Sequence, residues 1–180
     1  MSQNSTDINV AALHPVDRAR YRVYKNRRLA FTLRCIGGTA VALSVVAYVL
    51  RTASFFSNGV ELGALAFFIL STAAPFVAVS CLRAVINAPR PYEVIEFYTE
   101  PPKNKSGRSF PSRHVFSIFL IAASSVLWQP QIAVTLAVLG VLLAACRVLL
   151  GIHYVKDTVA GALIGTVCGV IGALVMHFVV

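Results

Sequence analysis

Residues 132–150 read IAVTLAVLGVLLAACRVLL and contain a single charged side chain, Arg147. A helix of this length rises about 28 Å, which is close to the thickness of the hydrocarbon core of a bilayer. The run therefore predicts a transmembrane helix. It leads directly into GIHYVKD, residues 151–157, where His153 and Asp157 lie at the border of a second apolar run.

Four further apolar runs have the length of a membrane span: residues 29–50, 62–82, 111–128 and 157–180. Of the 180 residues, 57% are hydrophobic and 13% are charged, and the mean hydropathy is +0.74. This composition excludes an ordinary soluble domain and is typical of a polytopic membrane protein. We therefore predict an all-α bundle of about five transmembrane helices that forms one domain, residues 29–180.

A strongly basic segment precedes the first span. The formal net charge is +9, and six cations lie within residues 18–28: Arg18, Arg20, Arg22, Lys25, Arg27 and Arg28. Cations beside a first span favour the cytoplasmic face and contact anionic headgroups, so we expect the lipid bilayer rather than a nucleic acid as their partner. Residues 1–28 are predicted to form a cytoplasmic tail with a short interfacial helix from His14-Pro15 to Arg28.

Three polar groups stand at the ends of the spans, and each combines cations with other reactive side chains. Because successive spans alternate in direction, the end of the second span, the start of the third and the connection at 151–156 lie at one membrane face. Ionisable groups beside a bilayer are costly, so their default interpretation is functional. The groups contain Arg83 and Arg90; Ser112, Arg113 and His114; and Arg147, His153 and Asp157.

These residue types suit phosphate chemistry. Guanidinium groups bind phosphate oxygens in pairs, and Ser112 stands at a predicted helix start, where free N–H groups favour an anion. A spacing of four places Asp157 on the same helical face as His153, where it would fix the imidazole tautomer and leave the other nitrogen as a nucleophile. His114 would protonate the leaving oxygen. The alternative is that the arginines extend to headgroups and the histidines are structural.

The acidic residues indicate that this chemistry uses no metal. The chain has seven acids, and no pair of them resembles the carboxylate cluster of magnesium-dependent phosphoryl transfer. It also has no glycine-rich phosphate loop, and its four cysteines lack the spacing of a zinc site. We therefore predict no metal and no other cofactor.

Taken together, Arg83-x6-Arg90-Pro91, Pro111-Ser112-Arg113-His114 and Arg147-x5-His153-x3-Asp157 resemble the motifs of the type 2 phosphatidic acid phosphatase (PAP2) superfamily. The family pattern is K-x6-R-P, P-S-G-H and S-R-x5-H-x3-D, and the resemblance covers about residues 60–175.

The resemblance implies a role for each site residue. His153 would be the nucleophile that forms a phosphohistidine, Asp157 would orient it, and His114 would act first as general acid and then as general base. The phosphoryl oxygens would be bound by four side chains and by the main-chain N–H of Arg113. Those side chains are Arg83, Arg90, Ser112 and Arg147. The family works without a metal.

Three positions depart from the family pattern. Arg83 replaces the usual lysine, which keeps the charge and changes the reach. Cys146 replaces a serine, which would remove one hydrogen bond. Arg113 replaces a glycine and brings a further cation to the site, either into the pocket or toward a charged headgroup. None of the three removes a chemical role.

We expect a multi-pass protein of the bacterial cell membrane that acts on a membrane lipid phosphate. An odd number of spans and a basic N-terminal segment place the site at the cytoplasmic face. Phosphatidate, phosphatidylglycerophosphate and prenyl phosphates are the candidate substrates for a phosphomonoester or pyrophosphate hydrolase. A non-catalytic lipid-phosphate binder or transporter and a lipid phosphotransferase are the alternatives.

Overall fold

The computed structural model describes residues 8–57, 59–98 and 106–179, and the ordered elements within these ranges are helical. The predicted N-terminal tail lies partly outside them, at residues 1–7, as does the segment 99–105 between the second and third predicted spans. After a 3₁₀ turn at Val10–Ala12, the helices are α1 (Pro15–Lys25), α2 (Arg27–Ser57), α3 (Leu62–Ile86), α4 (Pro91–Val94), α5 (Arg113–Ser124), α6 (Pro130–Leu149) and α7 (Val155–Val179). The predicted all-α fold class is confirmed.

Four of these helices, α2, α3, α6 and α7, are long and apolar enough to cross a membrane. They expose many large apolar side chains, among them Leu50, Leu70, Val134 and Leu163. A surface of this kind is unstable in water and suits a hydrocarbon environment. The chain is an integral membrane protein.

The third predicted span is shorter than expected. Residues 111–128 were predicted to cross as a helix, but α5 has 12 residues and therefore rises only about 18 Å. A turn at residues 125–128 follows and brings the Trp128 ring to 6.5 Å from the ring of His177, near the end of α7. The helix can be short because it packs against α7, α6, α3 and α2 rather than facing lipid.

The closest packing in the bundle lies between α5 and α7. A Cβ atom at Gly161 would lie 2.6 Å from the carbonyl oxygen of Ser112, and one at Gly169 would lie 2.5 Å from that of Leu120. No side chain fits at these distances, so glycine is required for the backbones to approach. The contact fixes the start of α5 against the start of α7.

The first helices differ from the prediction at their boundaries. The basic helix α1 ends at Lys25, and α2 begins at Arg27 rather than at residue 29. Helix α2 also continues to Ser57, beyond residue 50, where the first apolar run was predicted to end. Arg51 does not end the helix because its guanidinium stacks on the rings of Phe55 and Trp128, at 4.3 and 5.4 Å.

Candidate active site

Five chain segments meet at one end of the bundle and enclose a cavity of about 570 Å³. The end of α3, the start of α5 and the end of α6 contribute, together with the loops before α5 and α7. Six of the eight predicted site residues line the cavity: Arg83, Arg90, Arg113, His114, Arg147 and His153. The other two, Ser112 and Asp157, are buried beside it. The structure thus brings the three polar groups together at one face.

His153 and Asp157 form a buried pair. Asp157 Oδ2 lies 3.6 Å from His153 Nδ1, accepts a hydrogen bond from the Ser109 hydroxyl at 2.5 Å and accepts another from the Tyr154 amide at 2.9 Å. Ser109 Oγ also lies 3.4 Å from His153 Nδ1. This arrangement assigns Nδ1 to the carboxylate, so Nε2 is the nitrogen left for chemistry.

The surroundings of His153 favour the neutral ring. Burial lowers its pKa below the usual 6.5, and the positive charges of Arg90 and Arg83 lower it further, while Asp157 raises it. A neutral imidazole carries the lone pair that a nucleophile needs. The site can therefore hold a nucleophilic nitrogen near neutral pH.

The loop before α5 is held by Arg90 and Glu93. Arg90 Nε donates to the carbonyl oxygen of Gly107 at 2.8 Å. The Glu93 carboxylate accepts from the Arg90 amide at 2.6 Å and from the Gly107 amide at 2.9 Å. Glu93 was not predicted as a site residue. It ties the start of α4 to the segment that carries Ser109.

Arg83 has a supporting role in addition to its charge. Its guanidinium donates to the carbonyl oxygens of Pro111 and Arg108, which lie in the same loop. The side chain is buried while it lines the cavity. Arg83 therefore fixes the loop and adds positive potential to the cavity wall, and its predicted contact with phosphate stays a prediction.

Of the buried donors that have no hydrogen-bond partner in the described part of the chain, two belong to the site, Arg147 Nε and Ser112 Oγ, and the others are on Arg51 and Tyr98. Buried polar groups in native proteins normally have partners. Both groups are of types that bind phosphate oxygens, and Ser112 is the N-cap of α5, whose first-turn N–H groups have no partner within the helix. The arrangement suits an anion.

Arg113 and Cys146, two of the departures from the family pattern, occupy different environments. Arg113 is exposed at the cavity, with its guanidinium 5.4 Å from the centre of the Phe76 ring. Cys146 is buried, and a Cβ at Gly37 of α2 would lie 3.7 Å from its Cβ. The thiol therefore belongs to the packing of α6 on α2.

Two contacts of the site could not be assigned from the residue pattern. Ser109 lies three residues before the predicted Ser112, in the same S-F-P-S-R-H segment, but its hydroxyl has no spacing relation to Asp157. Arg20 of α1 donates to the carbonyl oxygen of His153, from 133 residues away in the chain. Within the described ranges, no three His, Cys, Asp or Glu side chains are grouped as metal ligands.

The chain is similar to known proteins in sequence and in fold. Residues 64–179 match the family model described as the PAP2 superfamily. The crystal structure of LpxE from Aquifex aeolicus is similar, with 26% identity and a TM-score of 0.58, over 82% of this chain and 86% of that one.

A second similar structure is the first transmembrane PAP2 type phosphatidylglycerolphosphate phosphatase from Bacillus subtilis. It has 21% identity and a TM-score of 0.58, over 94% of this chain and 89% of that one, and it shows similarity of fold alone. No curated protein sequence matches the chain.

Proposed function

We propose that this chain, which belongs to the PAP2 superfamily and is a PAP2-type lipid phosphatase of the membrane, hydrolyses its substrate through a phosphohistidine at His153. The bond broken would be a phosphomonoester or a pyrophosphate. The observation that carries the proposal is the buried His153–Asp157 pair at the wall of an arginine-lined cavity.

In the first step, Nε2 of His153 attacks the phosphorus atom. A P–N bond forms as the bond to the leaving oxygen breaks, and His114 donates a proton to that oxygen. The ring of His153 becomes positively charged on phosphorylation, and the Asp157 carboxylate, 3.6 Å from Nδ1, stabilises that charge.

In the second step, water hydrolyses the phosphohistidine. His114, now neutral, takes a proton from the water as its oxygen attacks phosphorus, and the P–N bond breaks. Inorganic phosphate leaves, and His153 and His114 return to their starting protonation states. The electrostatic part of catalysis falls to Arg90, Arg147 and the first turn of α5, which would hold the equatorial oxygens.

The proposed substrate is a lipid whose phosphate group is terminal: a phosphatidate, a phosphatidylglycerophosphate or a prenyl phosphate. The cavity volume of about 570 Å³ falls within the range of about 300–1,000 Å³ that is common for ligand pockets, so it has room for headgroup atoms besides the phosphoryl group. Arg113 at its exposed side would supply a cation for a second anionic group where the lipid has one, such as the phosphodiester of a phosphatidylglycerophosphate.

We propose that the site faces the cytoplasm of a bacterial cell. The basic helix α1 lies at the same end of the bundle as the site, since Arg20 contacts both Val148 and His153. Clusters of Lys and Arg beside a span favour the cytoplasmic side. Helix α7 starts at the site and ends beside Trp128, at the opposite end of the bundle. A reporter fused to the C-terminus should then lie outside the cytoplasm, and a cytoplasmic signal would contradict this topology.

Membership in a phosphatase family favours the enzyme over a non-catalytic binder or transporter. A phosphotransferase would share the first step and pass the phosphoryl group to an alcohol in the second. Added acceptor alcohols distinguish the two, because for a hydrolase they should not reduce the yield of inorganic phosphate.

The proposal is tested by phosphate release from purified protein in detergent with excess chelator, over a panel of phosphatidate, phosphatidylglycerophosphate and prenyl mono- and diphosphates. Activity is expected on at least one lipid without added metal. His153→Ala should abolish it, while His177→Ala, which changes a histidine at the opposite end of the bundle, should not. Full turnover by His153→Ala, or a strict requirement for a divalent metal, would refute the mechanism.

A further inference from the structure

The N-terminal helix α1 lies outside residues 64–179, the segment that matches the family model, yet it contributes a buried arginine beside the catalytic loop. Arg20 is 4% exposed. Its Nε donates to the carbonyl oxygen of Val148 at 3.0 Å, its Nη2 donates to that of His153 at 3.2 Å, and its Nη1 donates to Asp17 Oδ1 at 2.7 Å. A buried guanidinium is stable only when its donors are satisfied in this way.

These contacts complete the support of His153. The His153 amide donates to the carbonyl oxygen of Arg147 at 3.2 Å, and its own carbonyl accepts from Arg20. The ring is held at Nδ1 by Asp157 and Ser109. The backbone on both sides of the nucleophile is therefore fixed, and the contact on its carbonyl side comes from α1.

Aromatic packing holds α1 in place over the same loop. Tyr21 contacts Phe97 edge-to-face with ring centroids 5.4 Å apart, and Tyr24 contacts Tyr98 at 5.1 Å. Tyr98 lies directly against Gly151, where a Cβ would be 2.6 Å from Cζ of the tyrosine ring. The loop that carries the nucleophile is thus enclosed between α6, α7 and the aromatic side chains around α1.

We propose that Arg20, oriented by Asp17, is a positioning residue for His153. By fixing the His153 carbonyl relative to the end of α6, it sets the direction in which Nε2 meets the phosphorus atom. This inference rests on the proposed function of His153. If Arg20 only anchored α1 to the bundle, its removal would reduce the amount of folded protein and leave kcat per folded molecule unchanged.

The test compares Arg20→Ala, Arg20→Lys and Asp17→Asn with Arg22→Ala, which removes an exposed arginine from the same helix. Initial rates are measured on the lipid that the wild type hydrolyses, with folded protein quantified by thermal unfolding in the same detergent. A nucleophile displaced by about 1 Å loses up to about 100-fold in rate. We expect kcat per folded molecule to fall about 10- to 100-fold in Arg20→Ala, with KM within about twofold.

The other variants of the Arg20–Asp17 pair should lose less of kcat than Arg20→Ala does. Arg20→Lys should recover part of kcat, because an ammonium can reach one carbonyl but lacks the planar fork that spans both. Asp17→Asn, which keeps the guanidinium and removes only its carboxylate partner, should lose less than Arg20→Ala. Guanidinium ion at millimolar concentration should raise kcat of Arg20→Ala and leave Arg22→Ala unchanged.

Three outcomes would overturn the proposal. The first is wild-type kcat per folded molecule in Arg20→Ala, and the second is a rise in its KM with kcat intact. The third is a loss of activity that unfolded protein explains fully, with no recovery in Arg20→Lys or with guanidinium. If Arg20→Ala does not fold, Asp17→Asn and Arg20→Lys test the proposal instead, and wild-type kcat in these two variants would overturn it. Failure of the proposed function is distinguishable, because the wild type itself would then release no phosphate.

Discussion

The substitution Asp157→Asn tests the electrostatic role of the buried pair. Asp157 is 1% exposed, and asparagine has nearly the same shape, so the change removes a negative charge with little loss of packing. Phosphorylation places a positive charge on His153 beside this carboxylate. The variant should therefore raise the barrier to forming the intermediate while leaving substrate binding at the arginines nearly unchanged.

The distance sets the size of the effect. At 3.6 Å between Asp157 Oδ2 and His153 Nδ1, an effective dielectric constant of about 20 gives an attraction of about 4–5 kcal/mol. Since about 1.4 kcal/mol corresponds to a tenfold change in rate, kcat should fall about 10³-fold. Thr158→Ala is the matched control, because Thr158 is also buried in the first turn of α7 and its hydroxyl donates to the Val155 carbonyl oxygen of the same helix.

The pH dependence of kcat/KM is a second, independent test of the electrostatic role of Asp157. Burial lowers the pKa of His153 below 6.5, and Asp157 raises it. The nucleophile must be neutral, so the acidic limb of kcat/KM should lie below pH 6.5 in the wild type. Without the carboxylate the pKa falls further, and the limb should move to lower pH. A variant that keeps kcat within about threefold, or whose acidic limb moves upward, would refute this electrostatic role.

Three further predictions concern other parts of the site and fold. His114→Ala should lower kcat about 10²–10⁴-fold on lipid phosphates but much less on p-nitrophenyl phosphate, whose leaving group needs no proton; equal losses would contradict the general-acid role. Gly161→Ala should lower the free energy of unfolding by about 1–3 kcal/mol, because the new Cβ would lie 2.6 Å from the carbonyl oxygen of Ser112. Gly38→Ala, whose Cβ would meet nothing within 4 Å, should leave the free energy of unfolding unchanged. Thermal unfolding of both variants measures the difference. Glu93→Gln should reduce kcat/KM about fivefold by weakening its bonds to backbone amides, and an unchanged value would exclude that support.

The membrane helices could be predicted from hydropathy because their lipid-facing sides must be apolar. The same criterion misjudged α5, since a helix buried by its neighbours is also apolar and need not have the length of a span. It also ended α2 too early, at the charge of Arg51. That charge is compatible with the helix because two aromatic rings cover it, and the sequence pattern gives no sign of such a contact.

The candidate site was predictable where residues are linked by short spacings. The four-residue interval from His153 to Asp157 and the helix start at Ser112 follow from local geometry, and alternation of the spans brings the groups to one face. Contacts that join distant segments were not predictable. Ser109 meets Asp157 only because α5 packs on α7, and Arg20 reaches His153 only because α1 folds back on α6.

The proposed mechanism requires that an imidazole at the arginine-lined cavity accept the phosphoryl group. The most direct measurement is rapid quenching in alkali after mixing with ³²P-labelled lipid phosphate, followed by peptide mapping of the labelled protein. We predict an acid-labile, alkali-stable phosphate on His153 that appears before free phosphate and is absent from His153→Ala. Turnover of the same lipid with no labelled histidine, or with the label on another residue, would contradict the mechanism.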